Sequence, residues 1–371
     1  MLKLSWGRAA MWRAGRQHLV QRAKPGSMLA VAGRLCGLHA QVLSSAELTA
    51  WARVEGLKRQ DVQRALWQDR TLVKTWAMRG TLHLLPTSEL PLWYGALTTN
   101  RRFLREAQWK KNFGLSLDDL DRLTDAIGAV LENRMLTREE LAREVGEIAG
   151  RRIIAESSWG TALRPAAFTG RLCFAPGTGN RVRFTHPDTW VKLAAAVDPQ
   201  IATLEATRRF LAAFGPATVH DLARWWSGTG VSTARQWIAA LADEAASVDV
   251  EGEPAWMLAR DVRGMRDVPT ERSVRLLPAF DQYVIGASAH CHRLLPGDLR
   301  ARVYRPQGWI SPVLLVNGMM HGVWRHEVKG SRVAVTVEPF VKLPVWVRRA
   351  AGEEAERLAK FLDCALDLYF S

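Results

Sequence analysis

The chain has 371 residues, with 51 Lys+Arg against 37 Asp+Glu, a formal charge of +14 and a sequence pI ≈ 10.2. That length suggests two or three domains with a large core, and no uninterrupted apolar run approaches the roughly 18 residues of a membrane span. The excess of cations favours a polyanionic partner through counterion release, so nucleic-acid binding with steep salt dependence is the leading expectation.

The N-terminal stretch MLKLSWGRAAMWRAGRQ has no continuous apolar segment, so no signal peptide is read and the cytoplasm is expected, with association to the nucleoid through DNA. Cys36, Cys173, Cys291 and Cys364 lie far apart in no CxxC pattern. Neither a disulfide framework nor zinc is indicated. His290-Cys291-His292 is a packing or surface cluster on this reading, because tetrahedral zinc needs ligands beyond one tripeptide; no metal and no organic cofactor is expected.

The first patterned module starts at Gly33-Arg34-Leu35-Cys36-Gly37-Leu38-His39-Ala40-Gln41, followed by a helix that Ser44 or Ser45 would cap. Gln60 to Asp69 has apolar residues at 62, 65 and 66, the spacing of an amphipathic helix. Then Lys74 to Pro86 sets an Arg79-Gly80 break between two apolar runs, a hairpin with a cation at its tip. Helix followed by basic hairpin is the order of a nucleic-acid-docking winged helix.

The pattern recurs twice. Thr137-Arg138-Glu139-Glu140 starts a helix with a capping box, a second helix follows near Trp159 to Phe168, and RLCFAPGTGNRVRFT predicts two strands joined at Gly177 to Asn180. Thr218 to Trp226, a turn at Ser227 to Gly230, a helix capped by Ser232 and strands around Val248 and Trp256 joined at Glu251-Gly252-Glu253 make the third copy. From about Arg272 the runs become strand-like: Val274–Leu277, Tyr283–Ile285, Val313–Val316, Gly322–Arg325 and Val333–Val337 predict a small antiparallel sheet or barrel. Glu353 to Tyr369 predicts a closing helix. The expected fold class is α+β, with three tandem winged-helix units (1–115 with N-terminal helices, 116–195, 196–268) packed around a C-terminal β-barrel with its helix (269–371).

His39 and Gln41 are two apart, so in an extended connector both side chains share a face, whereas on a helix they would diverge. Side by side, a histidine and an amide can hold a water between them. The plainer alternative is that His39 continues a helical face from Leu35 and caps the core.

Read together and in order, GLHAQ, TWAMRGTLHLLP, VRLLPAFDQYVIG and RPQGWISPVLLVNGMMHGVWR resemble the winged-helix DNA glycosylases of bacteria over nearly the whole chain, especially those that give self-resistance beside gene clusters for DNA-alkylating natural products. The resemblance implies a monofunctional glycosylase that removes bulky N7-alkylguanine adducts, with three winged helices arranged around a β-barrel; the expected partner is double-stranded DNA, with no membrane and no obligate protein partner, and a monomer is expected. In that family a Gln-x-Gln or Gln-x-Asp connector carries catalysis; the matching positions here are His39 and Gln41. Histidine replaces the commoner glutamine, implying either added basicity in the same role or a different lesion preference. An N7-alkylguanine is already a cationic leaving group, so placing a water and stabilising an oxocarbenium-like state would suffice. With an ordinary histidine as base, the rate would change near pH 6.5. The base could be flipped out or approached from the groove. Arg79, Thr81 and His83 are candidate DNA contacts at the first hairpin, and Arg325, Lys329 and Arg332 at a hairpin turning on Gly330-Ser331. Asp281 is read as a turn anchor, and most of the 16 tryptophans, among them Trp225, Trp226, Trp237, Trp309 and Trp324, as core. The alternatives to catalysis are a winged-helix DNA-binding protein or regulator, and a scaffold.

Overall fold

The computed structural model describes residues 2–99, 106–146, 158–178, 181–227, 229–265, 268 and 272–371. Gly179, Asn180 and Gly228 of the two expected turns, and the expected boundary at 269, lie outside the described residues.

Strand β1 (Leu2–Leu4) and a helix at Trp6–Arg16, capped by Ser5, open the chain. There follow a helix at Met28–Arg34, strand β2 (Leu38–His39), helices Leu43–Trp51 and Arg59–Trp67, and strands β3 (Leu72–Trp76) and β4 (Leu82–Pro86). The three strands form a sheet in the order β2-β4-β3. The second module repeats this order with helix Leu117–Leu131, β5 (Leu136–Thr137), helix Arg138–Val145, a 3-10 turn at Ser158–Leu163 running into helix Arg164–Phe168, and β6 (Cys173–Thr178) with β7 (Arg181–Thr185). In the third, helices Pro199–Phe214, Val219–Trp226 and Val231–Ala239 precede β8 (Ala245–Val250) and β9 (Glu253–Leu258). There the short strand shrinks to one bridge, Ala217 with Trp256, and β1 joins β8 in parallel.

The local chemistry explains most boundaries. Thr137 builds the expected capping box, and Thr218 builds another that was not expected, each accepting from the backbone of the acidic residue three positions on. Elsewhere the caps differ from expectation: Val42 and Gly230 precede their helices, so Ser44, Ser45 and Ser232 fall inside the first turns.

The C-terminal part is not a closed barrel. Among the described residues it is an open five-stranded sheet in the order β10 (Val274–Leu277), β11 (Val313–Val316), β12 (Met319–Lys329), β13 (Arg332–Pro339), β14 (Ala365–Phe370), with β10 and β14 at its edges. Two expected elements change with it. Tyr283–Ile285 is helical, within Gln282–Gly286, because the Asp281 carboxylate accepts from the Tyr283 N–H at 2.9 Å and starts a helix. The closing helix runs Val345–Leu362 and stops at Asp363 in a left-handed conformation (φ 54°), after which the chain returns as β14, parallel to β13.

One apolar core runs through all three helical modules, and a second, under the C-terminal sheet, takes in Ala10, Ala14 and Trp51 from the N-terminal part. Between them sits a buried ion pair: Arg53 donates to both oxygens of Asp281 at 2.7 Å, and neither side chain has any solvent exposure. The residues around Asp281 each hold another part of the molecule. Gln282 Nε2 donates to the Gly37 carbonyl at 2.5 Å, and the Tyr283 hydroxyl donates to the Gly318 carbonyl at 2.7 Å. Removing one partner of such a pair strands a buried charge. Asp281→Ala is therefore expected to lower unfolding free energy by about 3–5 kcal/mol, read from the urea midpoint; a change within the ordinary surface-substitution range of about 0.5 kcal/mol would contradict this assignment.

Candidate active site

The site is built on the two-residue strand β2. The chain leaves the Met28–Arg34 helix through Cys36 and Gly37, both at positive φ. At φ 92° any side chain at Gly37 would be strained, and its Cβ would also meet the Leu84 carbonyl oxygen at 3.2 Å and Leu85 Cδ2 at 2.6 Å, so glycine is favoured there. Backbone pairing of His39 with His83, and an Ala40 N–H donated to Leu82 O at 2.7 Å, then hold residues 38–40 extended. This excludes the helical alternative for His39, and both His39 and Gln41 line a single cavity of about 690 Å³.

His39 is 4% exposed. Its ring stacks on Phe280 (centroids 5.1 Å apart, planes at 20°) and meets His83 edge-on at 5.6 Å. Burial, reinforced by the charge of Arg79, depresses its pKa to about 3, so the imidazole is neutral at every physiological pH. Among the described residues its buried Nδ1 has no hydrogen-bond partner. Gln41 is half-buried, and its Oε1 takes only a long 3.5 Å contact from Leu82 N–H.

Arg79 is not a solvated tip. The turn at Met78–Gly80 folds inward, with Arg79 itself at φ 61°, and the half-buried guanidinium donates to the Trp225 carbonyl and to His83 Nε2, both at 3.3 Å. Burial lowers its pKa to about 10, leaving it charged at neutral pH. His83 is fully buried, and its bonds fix its tautomer: Nδ1–H donates to Thr81 O at 2.9 Å, leaving Nε2 to accept from Arg79. It stands behind Arg79 and has no surface to offer a duplex. Thr81 does line the cavity, though its hydroxyl donates to Met78 O at 3.1 Å.

Every other module also contributes to the wall. Arg164 comes from the second; Asp221, Arg224 and Trp225 come from the third; Phe280, Arg300, Tyr304, Arg305 and Trp309 come from the C-terminal part. Five arginines thus face a cavity with one carboxylate, that of Asp221. Burial alone would raise the Asp221 pKa, but the His290 bond at 2.8 Å and the charge of Arg13 hold it low. His290 and Cys291 are buried, with His290 held between Asp221 and Arg13. Trp309, expected in the core, is 46% exposed, whereas Trp225, Trp226 and Trp324 are buried and Trp237 partly so.

Arg325, Lys329 and Arg332 lie elsewhere. They occupy the β12–β13 hairpin that turns at Gly330-Ser331 as expected, and none lines the cavity. Each is exposed and paired with a carboxylate: Arg325 with Glu338, Lys329 with Glu327 at 3.1 Å, and Arg332 with Asp367 through Nε at 2.8 Å. No described helix is long and apolar enough to cross a membrane.

Sequence reasoning missed Arg164, Arg224, Arg300 and Arg305 as cavity residues, because nothing local marks an arginine whose neighbours come from other modules.

The depressed pKa of His39 has a measurable sign. Above about pH 6.5 the ring is neutral in both states; between 6.5 and about 3 only the unfolded chain binds the proton, so stability falls on acidification by up to about 1.4 kcal/mol per pH unit. His39→Gln should remove this component, so its stability relative to wild type should rise steadily from pH 7 to pH 4. Parallel acid limbs would show a solvated histidine instead.

Residues 32–361 match the family described as DNA glycosylase AlkZ-like. The chain is 35% identical over 372 residues to a Streptomyces sahachiroi protein named interstrand DNA cross-link repair glycosylase, covering 97% of each. The solved Streptomyces sahachiroi DNA glycosylase AlkZ superposes with a TM-score of 0.89 at 34% identity, covering 100% of both chains.

Proposed function

The chain belongs to the AlkZ-like DNA glycosylase family, and from that premise we propose that it excises N7-alkylguanine from duplex DNA by water attack at C1′, and that it acts in interstrand cross-link repair, as the name of its Streptomyces relative says of that protein. The observation that carries the reading is the convergence of His39 and Gln41 on one cationic cavity walled by all four parts of the chain. We read the three helical modules as winged helices, since each repeats the order helix, short strand or bridge, two helices, hairpin.

N7 alkylation places a positive charge on the base, which leaves as a neutral molecule while positive charge builds on the sugar. A cationic side chain against C1′ would oppose that build-up, so the residues nearest the reacting bond should not be cationic. Neutral His39 and the Gln41 amide meet this condition. With a conjugate acid near pH 3, His39 is a poor proton acceptor at neutral pH; it acts by accepting a hydrogen bond from the water and orienting it, while Gln41 supplies the second contact. The water attacks C1′ after the glycosidic bond has largely broken, with the bonding pair gone to the leaving base, and the proton released on C1′–O bond formation passes to bulk water. This revises the expectation of a rate change near pH 6.5.

Arg79 does different work. Its left-handed backbone costs of order 1–3 kcal/mol and is held by the turn, and its charge persists in a site otherwise kept neutral at the histidines. It fits a phosphate next to the lesion, with Arg224 and Arg305, whose side chains make no ion pair among the described residues, as further phosphate contacts.

Three outcomes test this assignment. His39→Ala and Gln41→Ala should each lower the single-turnover excision rate about 10²-fold or less, non-additively, with DNA affinity nearly intact. His39→Gln should keep much of the activity, and wild-type rates should be flat between pH 5.5 and 8.5 as far as His39 is concerned. An inflection near 6.5 that His39→Gln removes would refute the neutral, water-orienting role. Separately, Arg79→Ala should weaken affinity for duplex DNA and reduce the slope of log affinity against log salt by about one, without changing the rate at saturating protein. Collapse of that saturated rate at unchanged affinity would put Arg79 in the chemistry instead.

A further inference from the structure

Trp309 stands at the mouth of the cavity with 46% of its surface open, the one exposed tryptophan among the described side chains. An indole normally contributes by burial, so leaving one in water is unfavourable unless something covers it. Its backbone is fixed. The Arg305 N–H donates to the Trp309 carbonyl at 2.8 Å, and the Trp309 N–H returns to Pro306 O at 3.3 Å. Tyr304 bridges Ile310 across the base of the turn. Closing so small a loop puts Gln307 at φ 58° and Gly308 at φ 77°, and for glutamine that is a strained conformation. The turn therefore presents a rigid aromatic surface.

The ring also belongs to a series. Trp309 meets Phe280 at 4.9 Å with planes at 73°, and Phe280 stacks on His39 at 5.1 Å. Aromatic surface thus runs from the cavity mouth to the proposed water site. At that angle Phe280 does not stack face to face on the indole, and the open area admits another planar group.

We propose that Trp309 is the specificity platform of this site, on which a planar aromatic face of the lesion stacks. The face is either the guanine ring or an aryl group carried on its N7. The proposal rests on the excision reading above and adds the residue that selects among lesions. Trp309 touches the bound lesion but not the bond that breaks, so its contribution should fall on binding rather than on the step at C1′.

The test uses the full chain with Trp309→Ala and Trp309→Phe, on duplexes carrying N7-methylguanine or an N7-guanine adduct with a polycyclic aryl group. Both equilibrium affinity and single-turnover excision against protein concentration are measured. Base–aromatic stacking predicts that Trp309→Ala weakens affinity, and raises the half-saturating concentration, about tenfold or more, while the saturated rate stays within about threefold of wild type. Trp309→Phe should restore most of the loss. Loss on both duplexes places guanine on the indole; loss on the aryl duplex alone places the substituent there. Unchanged affinity on both duplexes overturns the proposal, as does a loss that Trp309→Phe fails to restore in a protein with wild-type thermal stability. Should wild type release neither base, the excision reading falls, and the affinities still decide whether Trp309 stacks on the lesion.

Discussion

The Arg53–Asp281 pair is the constraint on which the site depends. Two charges with no solvent exposure are tolerable only because the guanidinium meets both carboxylate oxygens at 2.7 Å. Their pairing fixes the turn at 280–283 against the first helical module. Phe280 is thereby pressed onto His39, and Gln282 onto the Gly37 carbonyl just before β2. A histidine on a two-residue strand has little of its own to hold it; here its ring plane is set by the C-terminal part of the chain and its backbone by β4.

Charge is distributed across the site with a separation that suits the proposed chemistry. His39 and His83 are kept neutral by burial and by the charge of Arg79, while Arg79, bonded to His83 and to the Trp225 carbonyl, keeps its proton. Inside a low-dielectric cavity this difference has more effect than it would in water. On the proposed reading, the neutral acceptors would face the sugar, and the arginines of the remaining wall would face the phosphates.

Much of this was legible in the residues themselves, and the limits have physical causes. Period and capping chemistry located the helices at Arg59–Trp67, Arg138–Val145 and Val219–Trp226, and glycine at Gly252 and Gly330 marked two hairpin turns. The two-residue spacing of His39 and Gln41 was informative only once an extended connector could be assumed; the backbone pairing of β2 supplies that fact. Local pattern misled at Tyr283–Ile285, where an aspartate cap outweighs β-branched propensity, and at Ala365–Phe370, where pairing with β13 outweighs helical periodicity. A run of strands does not reveal whether its edges meet, so an open sheet was read as a barrel. The Arg-Gly break predicts a hairpin tip at Arg79, but not the direction in which the turn folds. Membership in a glycosylase family sets aside the regulator and scaffold alternatives.

The central claim is that neutral groups at His39 and Gln41 deliver water to the sugar of an N7-alkylguanine. The most direct measurement incubates excess wild-type protein with a duplex carrying one such adduct and follows both products by mass spectrometry, with borohydride present in a parallel sample. The account predicts free N7-alkylguanine, an abasic site in an uncut strand and no protein–DNA conjugate after reduction. Tight binding without base release, or a borohydride-trapped conjugate showing attack by an amine instead of water, would contradict it.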